Sequence, residues 1–323
     1  MGEAALDQRL GTAVRAMLGA IGQRGREAAC LPFEEEERRT WAYWPTERRG
    51  VPLHELDRAG TKAVHRVLGA LLPAPAFARA AAIMSLDEVL DLSEGQPGIR
   101  RHRDDYWVSV FGDPDEPVWG WRFEGHHVSL HATVVAGDVH LTPLFLGANP
   151  AVVLDRGRVV SAPLAAEEAL GFELLHALGV EQRASAVVAD VAPDDNVTRS
   201  SAEVDLSLLG GGVPLAALSG AARAIAGEVL DLYLGRFPAG AHVPDPADAR
   251  FAWAGADAPG VGHHYRIVGP RLVIELDNTQ DGANHVHTVV RDPTADFGGD
   301  PLAAHRRRAH APVDDARGAR PVG

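Results

Sequence analysis

The chain has a single cysteine, Cys30, in 323 residues, which excludes intramolecular disulfides, thiolate zinc clusters and cysteine-ligated iron–sulfur centres. Any metal would have to bind through His, Asp or Glu. Lysine is as scarce: Lys62 is the only one, and it lies in no glycine-rich phosphate loop. A lysine Schiff base would rest on that residue alone. Positive charge is in deficit, with a formal net charge of −13, against a broad footprint for nucleic acid or anionic membrane. No run approaches the ~20 apolar residues of a membrane span. Residues 1 to 18 are broken by Glu3, Asp7, Arg9 and Arg15, so no signal peptide and a cytoplasmic location are expected. Familiar signatures are missing too. Gly210-Gly211-Gly212 lacks the dinucleotide fingerprint, and neither a Gly-x-Ser-x-Gly elbow nor an HExxH helix occurs.

A 46% hydrophobic content over this length supports one large domain or two modest ones. Helical spacing runs through residues 4 to 29 and 53 to 93, as in Val64, Val67, Leu68, Leu71 and Leu72, ended by Pro73 and Pro75. Strand texture covers 106–111, 118–135 and 139–145. Helical periodicity returns over 165–178 and 215–237, with Pro214 suited to the second start, and strands resume at 251–253, 264–268, 272–277 and 285–291. This order predicts an α+β fold: a helical N-terminal third packed on a largely antiparallel sheet, with a further helical segment between two strand regions. Residues 1–310 read as one module (1–100 mainly helical, 101–160 β-rich, 161–240 mainly helical, 251–295 β-rich). The tail 311–323 is expected to be disordered. A short echo links Trp121 and Gly125-His126-His127 to Trp253 and Gly262-His263-His264, which a duplicated strand pair would explain.

Fifteen histidines are present, and their spacing separates them. In Glu124–His131, read as a strand, Arg122, Glu124 and His126 point one way and His127, Ser129 and His131 the other. His285 and His287 alternate beside Asn284, while Glu275 and Asp277 alternate on the preceding strand. A turn at Asp281-Gly282 would make the two pairs neighbours. The candidate metal ligands are therefore Glu275, His285, His287 and one of His126 or His127. Arg122, Glu124, Asn149, Asp277 and Asn284 are the candidate catalytic groups. Asn149, held extended before Pro150, could aim its amide into a cleft or form a plain turn. His131 and His140 are expected on the sheet surface. His54, His65, His102, His176, His242 and His310 are assigned to surface or hydrogen-bonded core positions. His263, His264 and His305 are left open, and Arg291, Asp292, Asp296 and Asp300 read as a solvated flank.

Several segments in one order carry a resemblance: Trp119-Gly120-Trp121-Arg122 with Gly125-His126-His127-Val128-Ser129, Thr142 to Pro150, Ile274 to Asn278, and Asn284-His285-Val286-His287. With Trp41 to Pro45 and Asp296 to Asp300, they resemble the family known as domain of unknown function 3500, over residues 10 to 305. The resemblance implies one continuous family unit and supplies no activity. The residues themselves point to a metal-dependent enzyme acting on a small organic molecule. Tryptophans flanking the first motif could wall an apolar pocket, which tilts the reading toward iron- or copper-dependent oxidation. Zinc at the same ligands would instead polarise water for hydrolysis. A non-catalytic binding protein with structural histidines is the other alternative.

Overall fold

The computed structural model describes residues 4–34, 36–94 and 102–299. The tail, His305, His310 and Asp300 lie outside them. The protein is α+β. The first half runs α1 (Leu6–Ala20), α2 (Gly22–Ala29), β1 (Cys30–Leu31), β2 (Val51–Pro52), α3 (Arg58–Leu71) and α4 (Ala74–Glu94), then β3 (Tyr106–Phe111), β4 (Val118–Gly125), β5 (Val128–Val135), β6 (Asp138–His140) and β7 (Leu144–Ala148). A small hairpin, β8 (Val153–Asp155) and β9 (Arg158–Ser161), leads to the second half. There α5 (Ala165–Ala177), α6 (Val180–Ala186), β10 (Val187–Ala189), β11 (Val213–Pro214), α7 (Gly220–Leu234) and β12 (Ala241–His242) precede β13 (Arg250–Gly255), β14 (His263–Gly269), β15 (Leu272–Gln280) and β16 (His285–Arg291).

Local chemistry explains the elements. Asp57 caps α3 by accepting from the Gly60 amide at 2.8 Å, and the stripe Val64, Val67, Leu68 and Leu71 is fully buried, as a 3.6-residue period requires. One sheet runs β3-β4-β5-β7-β16-β15-β14-β13, antiparallel throughout this path. Period-two alternation gives it two unlike faces. Trp121, Phe123, Leu130, Leu146, Ile274, Leu276, Tyr265 and Phe251 join the helices in the main core. The opposite face carries Arg122, Glu124, His131, His287, Arg291, Glu275 and Arg266, buried beneath a strap of residues 36–49 and the loop 190–210.

The two halves share one topology. Val51 of β2 pairs antiparallel with Val108 of β3, and Val213 of β11 pairs in the same way with Phe251 of β13. Parallel β1 and β10 lie farther along the same outer edges of β3 and β13, whose other edges are taken by β4 and β14. Following the register from Val108 gives Phe123, Leu130 and Leu144, and from Phe251 gives Ile267, Ile274 and Val290. Leu144 and Val290 then pair with each other. Eight buried apolar residues thus cross the sheet as a palindrome, with a pseudo-twofold axis at Leu144–Val290. Gly50-Val51-Pro52-Leu53 matches Gly212-Val213-Pro214-Leu215 at equivalent places.

This register corrects the echo seen in sequence. Trp121 is equivalent to Tyr265, and Gly125-His126-His127 to Gly269-Pro270-Arg271, so the repeated Trp and Gly-His-His letters do not correspond. Other differences are local. The expected strand 118–135 is a hairpin broken at His126-His127, because His127 takes a φ of 63°. Pro214 lies in β11, and the helix begins at Gly220. His131 and Arg291 are buried because the strap and loop cover the face on which they were expected to meet solvent, and Asp292 is buried against His242 and Arg271.

Gly50 and Gly212 have φ of 119° and 94°, and a Cβ at either would strike the carbonyl oxygen of the paired strand, Val108 or Phe251. Gly50→Ala and Gly212→Ala should each cost about 1–3 kcal/mol in urea unfolding. A neutral result at one position alone would contradict their equivalence.

Candidate metal centre

Three imidazoles converge where the two halves meet. β16 pairs with β7, setting His287 opposite Gly147, and the β4–β5 turn presents His127 from the other side. The His127 carbonyl accepts from the Gly147 amide at 2.7 Å, and the His127 amide donates to the Tyr43 carbonyl of the strap at 3.2 Å. A Cβ on Gly147 would come within 2.8 Å of the His127 ring and 3.0 Å of the His287 ring, so only glycine leaves room for both. The Asp281-Gly282 turn closes the β15–β16 hairpin and brings His285 alongside, paired with Gln280. His127 Nε2 lies 2.8 Å from His285 Nε2, which lies 3.0 Å from His287 Nε2.

Carboxylates stand behind two of the rings. His287 Nδ1 is 2.8 Å from Asp195 Oδ1, and Tyr43 donates its hydroxyl to Asp195 Oδ2 at 2.8 Å. His285 Nδ1 is 3.1 Å from Asp281 Oδ2, which also accepts from Asn149 Nδ2 at 3.0 Å. Behind His127 the His126 ring lies tilted at a centroid distance of 3.7 Å, with its own Nδ1 turned to Asp87 at 2.6 Å. Burial and the neighbouring His287 push the His285 pKa down to about 4, which keeps its ring neutral at pH 7. Burial raises Asp277 to about 8, helped by the charge of Asp195. For Asp195 burial acts upward too, but the hydrogen bonds and charge of His287, with the Tyr43 hydroxyl, hold it below the ordinary value.

The family model described as protein of unknown function, DUF3500, matches residues 3–299. The chain belongs to the DUF3500 family. No curated protein and no solved structure matches it.

In this DUF3500 member the sequence-derived candidates divide. His127, His285 and His287 meet, and Asn149 reaches the carboxylate behind His285. Asp277 lies beside Asp195 and His287, with potential donor atoms of the three within 4.8 Å of one another. His126 turns away to Asp87. Both oxygens of Glu275 are engaged by the Val197 amide, the Thr198 amide and hydroxyl, and His264 Nε2, so Glu275 anchors the loop that carries Asp195. Arg122 binds Glu37 and the Thr40 carbonyl, and Glu124 pairs with Arg48 and Ser129, all fastening the strap. Glu124 borders a separate cavity of about 520 Å³ with Trp44 and Arg48. Asn284 accepts from the Val152 amide at 2.9 Å and holds the chain after β7. Asp195 and Tyr43 escaped sequence reasoning as site residues. Asp195 sits in a polar loop with no periodicity to give it away, and only its spatial neighbours distinguish it.

Beneath the same strap His131 is buried, and desolvation with the charges of Arg122, Arg291 and Arg38 holds its pKa well below the ordinary value. A depressed histidine pKa favours folding fully above the unfolded value, near 6.5, and its contribution is lost as pH falls toward the folded value. Wild-type protein should therefore lose about 1 kcal/mol more than His131→Gln per pH unit between pH 6.5 and 5 in urea unfolding. Equal slopes would refute a neutral His131.

Proposed function

We propose that the protein is a metal-dependent enzyme whose ion is held by the Nε2 atoms of His127, His285 and His287. One observation carries this reading: a neutral ring nitrogen offers either one proton or one lone pair, yet His285 Nε2 makes two short contacts. If His285 and His287 give their Nδ1 protons to Asp281 and Asp195, their Nε2 atoms meet lone pair to lone pair at 3.0 Å. A cation between them turns that repulsion into ligation. The carboxylates behind two of the rings then supply the usual second shell, fixing tautomer and ring orientation.

Donor spacing bears on the ion. Bonds of about 2.1 Å at right angles separate two ligand atoms by about 3.0 Å, whereas tetrahedral angles open this to about 3.4 Å. Separations of 2.8 and 3.0 Å favour the right-angle ligation of an octahedral ion, with the remaining positions free for substrate and oxygen, as in iron chemistry. Iron or copper there would supply oxidation of a small organic molecule, and zinc would supply an activated water. The chain's own part is to present neutral imidazoles and to exclude bulk water. His127 and His287 are 3–4% exposed, while the His285 side chain keeps 13%, so access lies beside Asn149 and Asp281. A cytoplasmic location and a small-molecule substrate are part of the same proposal.

Elemental analysis of untagged protein tests this directly. Near-stoichiometric metal should be present, be lost in His285→Ala/His287→Ala, and survive in His126→Gln. Asp195→Asn should weaken affinity about 10–100-fold. Iron or copper accompanied by oxygen uptake supports oxidation, and zinc supports hydrolysis. Protein that takes up no metal on reconstitution would overturn the proposal.

A further inference from the structure

Asp277 is the odd member of the buried carboxylates. Asp87 faces His126, Glu124 faces Arg48, Glu167 faces Arg236 and Arg79, Glu275 faces His264, and Asp292 faces His242 and Arg271. Among the described residues Asp277 alone is fully buried with no basic side chain in an ion pair. Both its oxygens are 3.1 Å from the Thr279 hydroxyl, which has one proton to give. Beside it lies another carboxylate, Asp195, whose ion pair with a basic side chain among the described residues is to His287. With no cation of its own, the buried Asp277 is costly to ionise beside Asp195. Asn196, next to Asp195 and 1% exposed, has neither its amide nitrogen nor its oxygen hydrogen-bonded.

The Asp277 position is set by the sheet: it is paired across β15–β16 with His287, on the side where Asp195 descends from the loop. His287 faces both groups of ligands, Nε2 toward His285 and Nδ1 toward Asp195. We propose that Asp195, Asp277 and His287 Nδ1 bind a second divalent first-row metal ion, joined to the first through the His287 ring. The proposal rests on the three-histidine reading and adds a bridging imidazolate to it. When the second ion binds, the His287 Nδ1–H bond and the carboxyl O–H bond of Asp277 break and both protons pass to solvent, the electron pairs left on Nδ1 and the carboxylate oxygen form the new bonds, and the oxidation state of the metal is unchanged. Oxygen and nitrogen donors in this mixture suit zinc, manganese or iron. Tyr43 donates its hydroxyl to Asp195, and Asn196 is the next residue in the chain.

Zinc titration of metal-free full-length protein separates the possibilities, with bound zinc counted after gel filtration and proton release followed in weakly buffered solution. The expected result is two equivalents in wild type, with protons from both His287 and Asp277 released on binding the second, and one equivalent in Asp277→Asn with the first retained. Asp195→Asn, titrated with enough zinc to fill its weakened first site, should also lose the second equivalent, and provides a second reading if Asp277→Asn fails to fold. One equivalent in wild type would overturn the bridged pair while leaving the three-histidine site standing. Two equivalents persisting in both variants would place the second ion elsewhere and overturn it as well. No bound zinc would remove the three-histidine site and the bridge together.

Discussion

The pairing of β7 with β16 is the constraint on which the rest depends. It is the join between two four-stranded meanders, and its register, Leu144 with Val290 through Ala148 with Val286, fixes every other strand by direct succession. A one-residue slip would turn Phe145, Val289 and His287 from the strap face to the helix face and expel Leu144, Leu146 and Val290 from the main core. The same register puts Gly147 beneath His127 and His287. The convergence of imidazoles is thus a by-product of packing that the apolar side of the sheet already demands.

The polar face is organised by buried ions. Arg122 gathers carbonyls and Glu37 of the strap, Arg291 holds Asp296 and the Ala202 carbonyl, and Arg266 takes the Leu209 and Gly210 carbonyls. Arginine suits this work because its planar fork satisfies several acceptors at once without losing charge. Ions buried this way add little net stability compared with apolar packing, but removing one partner strands the other. Their effect is positional: loops with no regular structure are set down at defined places on the sheet, and Asp195 and Tyr43 arrive at His287 by this route.

Much of this was legible in advance. Periodicity marked the α+β order, and the Asp281-Gly282 turn announced the β15–β16 hairpin that sets His285 and His287 beside Asp277. What failed had physical causes. Alternation cannot foresee a positive φ at His127, and that single backbone choice separates His126 from His127 and sends one to Asp87. The carboxylate Glu275 has the composition of a ligand, but its oxygens are consumed by Thr198 and His264, contacts over long sequence separations that no local pattern encodes. Burial of Arg122, Glu124 and His131 was invisible because their cover comes from irregular chain, and the twofold relation was hidden because it survives in strand register more than in letters.

The pseudo-twofold arrangement has one thermodynamic consequence. His127 belongs to the first half and His285 and His287 to the second, so a ligand gripping all three binds only when the halves are docked. Its binding free energy is then added to their association, by RT ln(1 + [L]/Kd) for free ligand concentration [L]. At the equivalent corner Arg271 stands in place of His127, with Asp292 and His242 as its partners, so that corner is closed by charges within the chain itself. One end of the seam is fastened by what the chain encodes, and the tightness of the other becomes a function of what the surroundings provide.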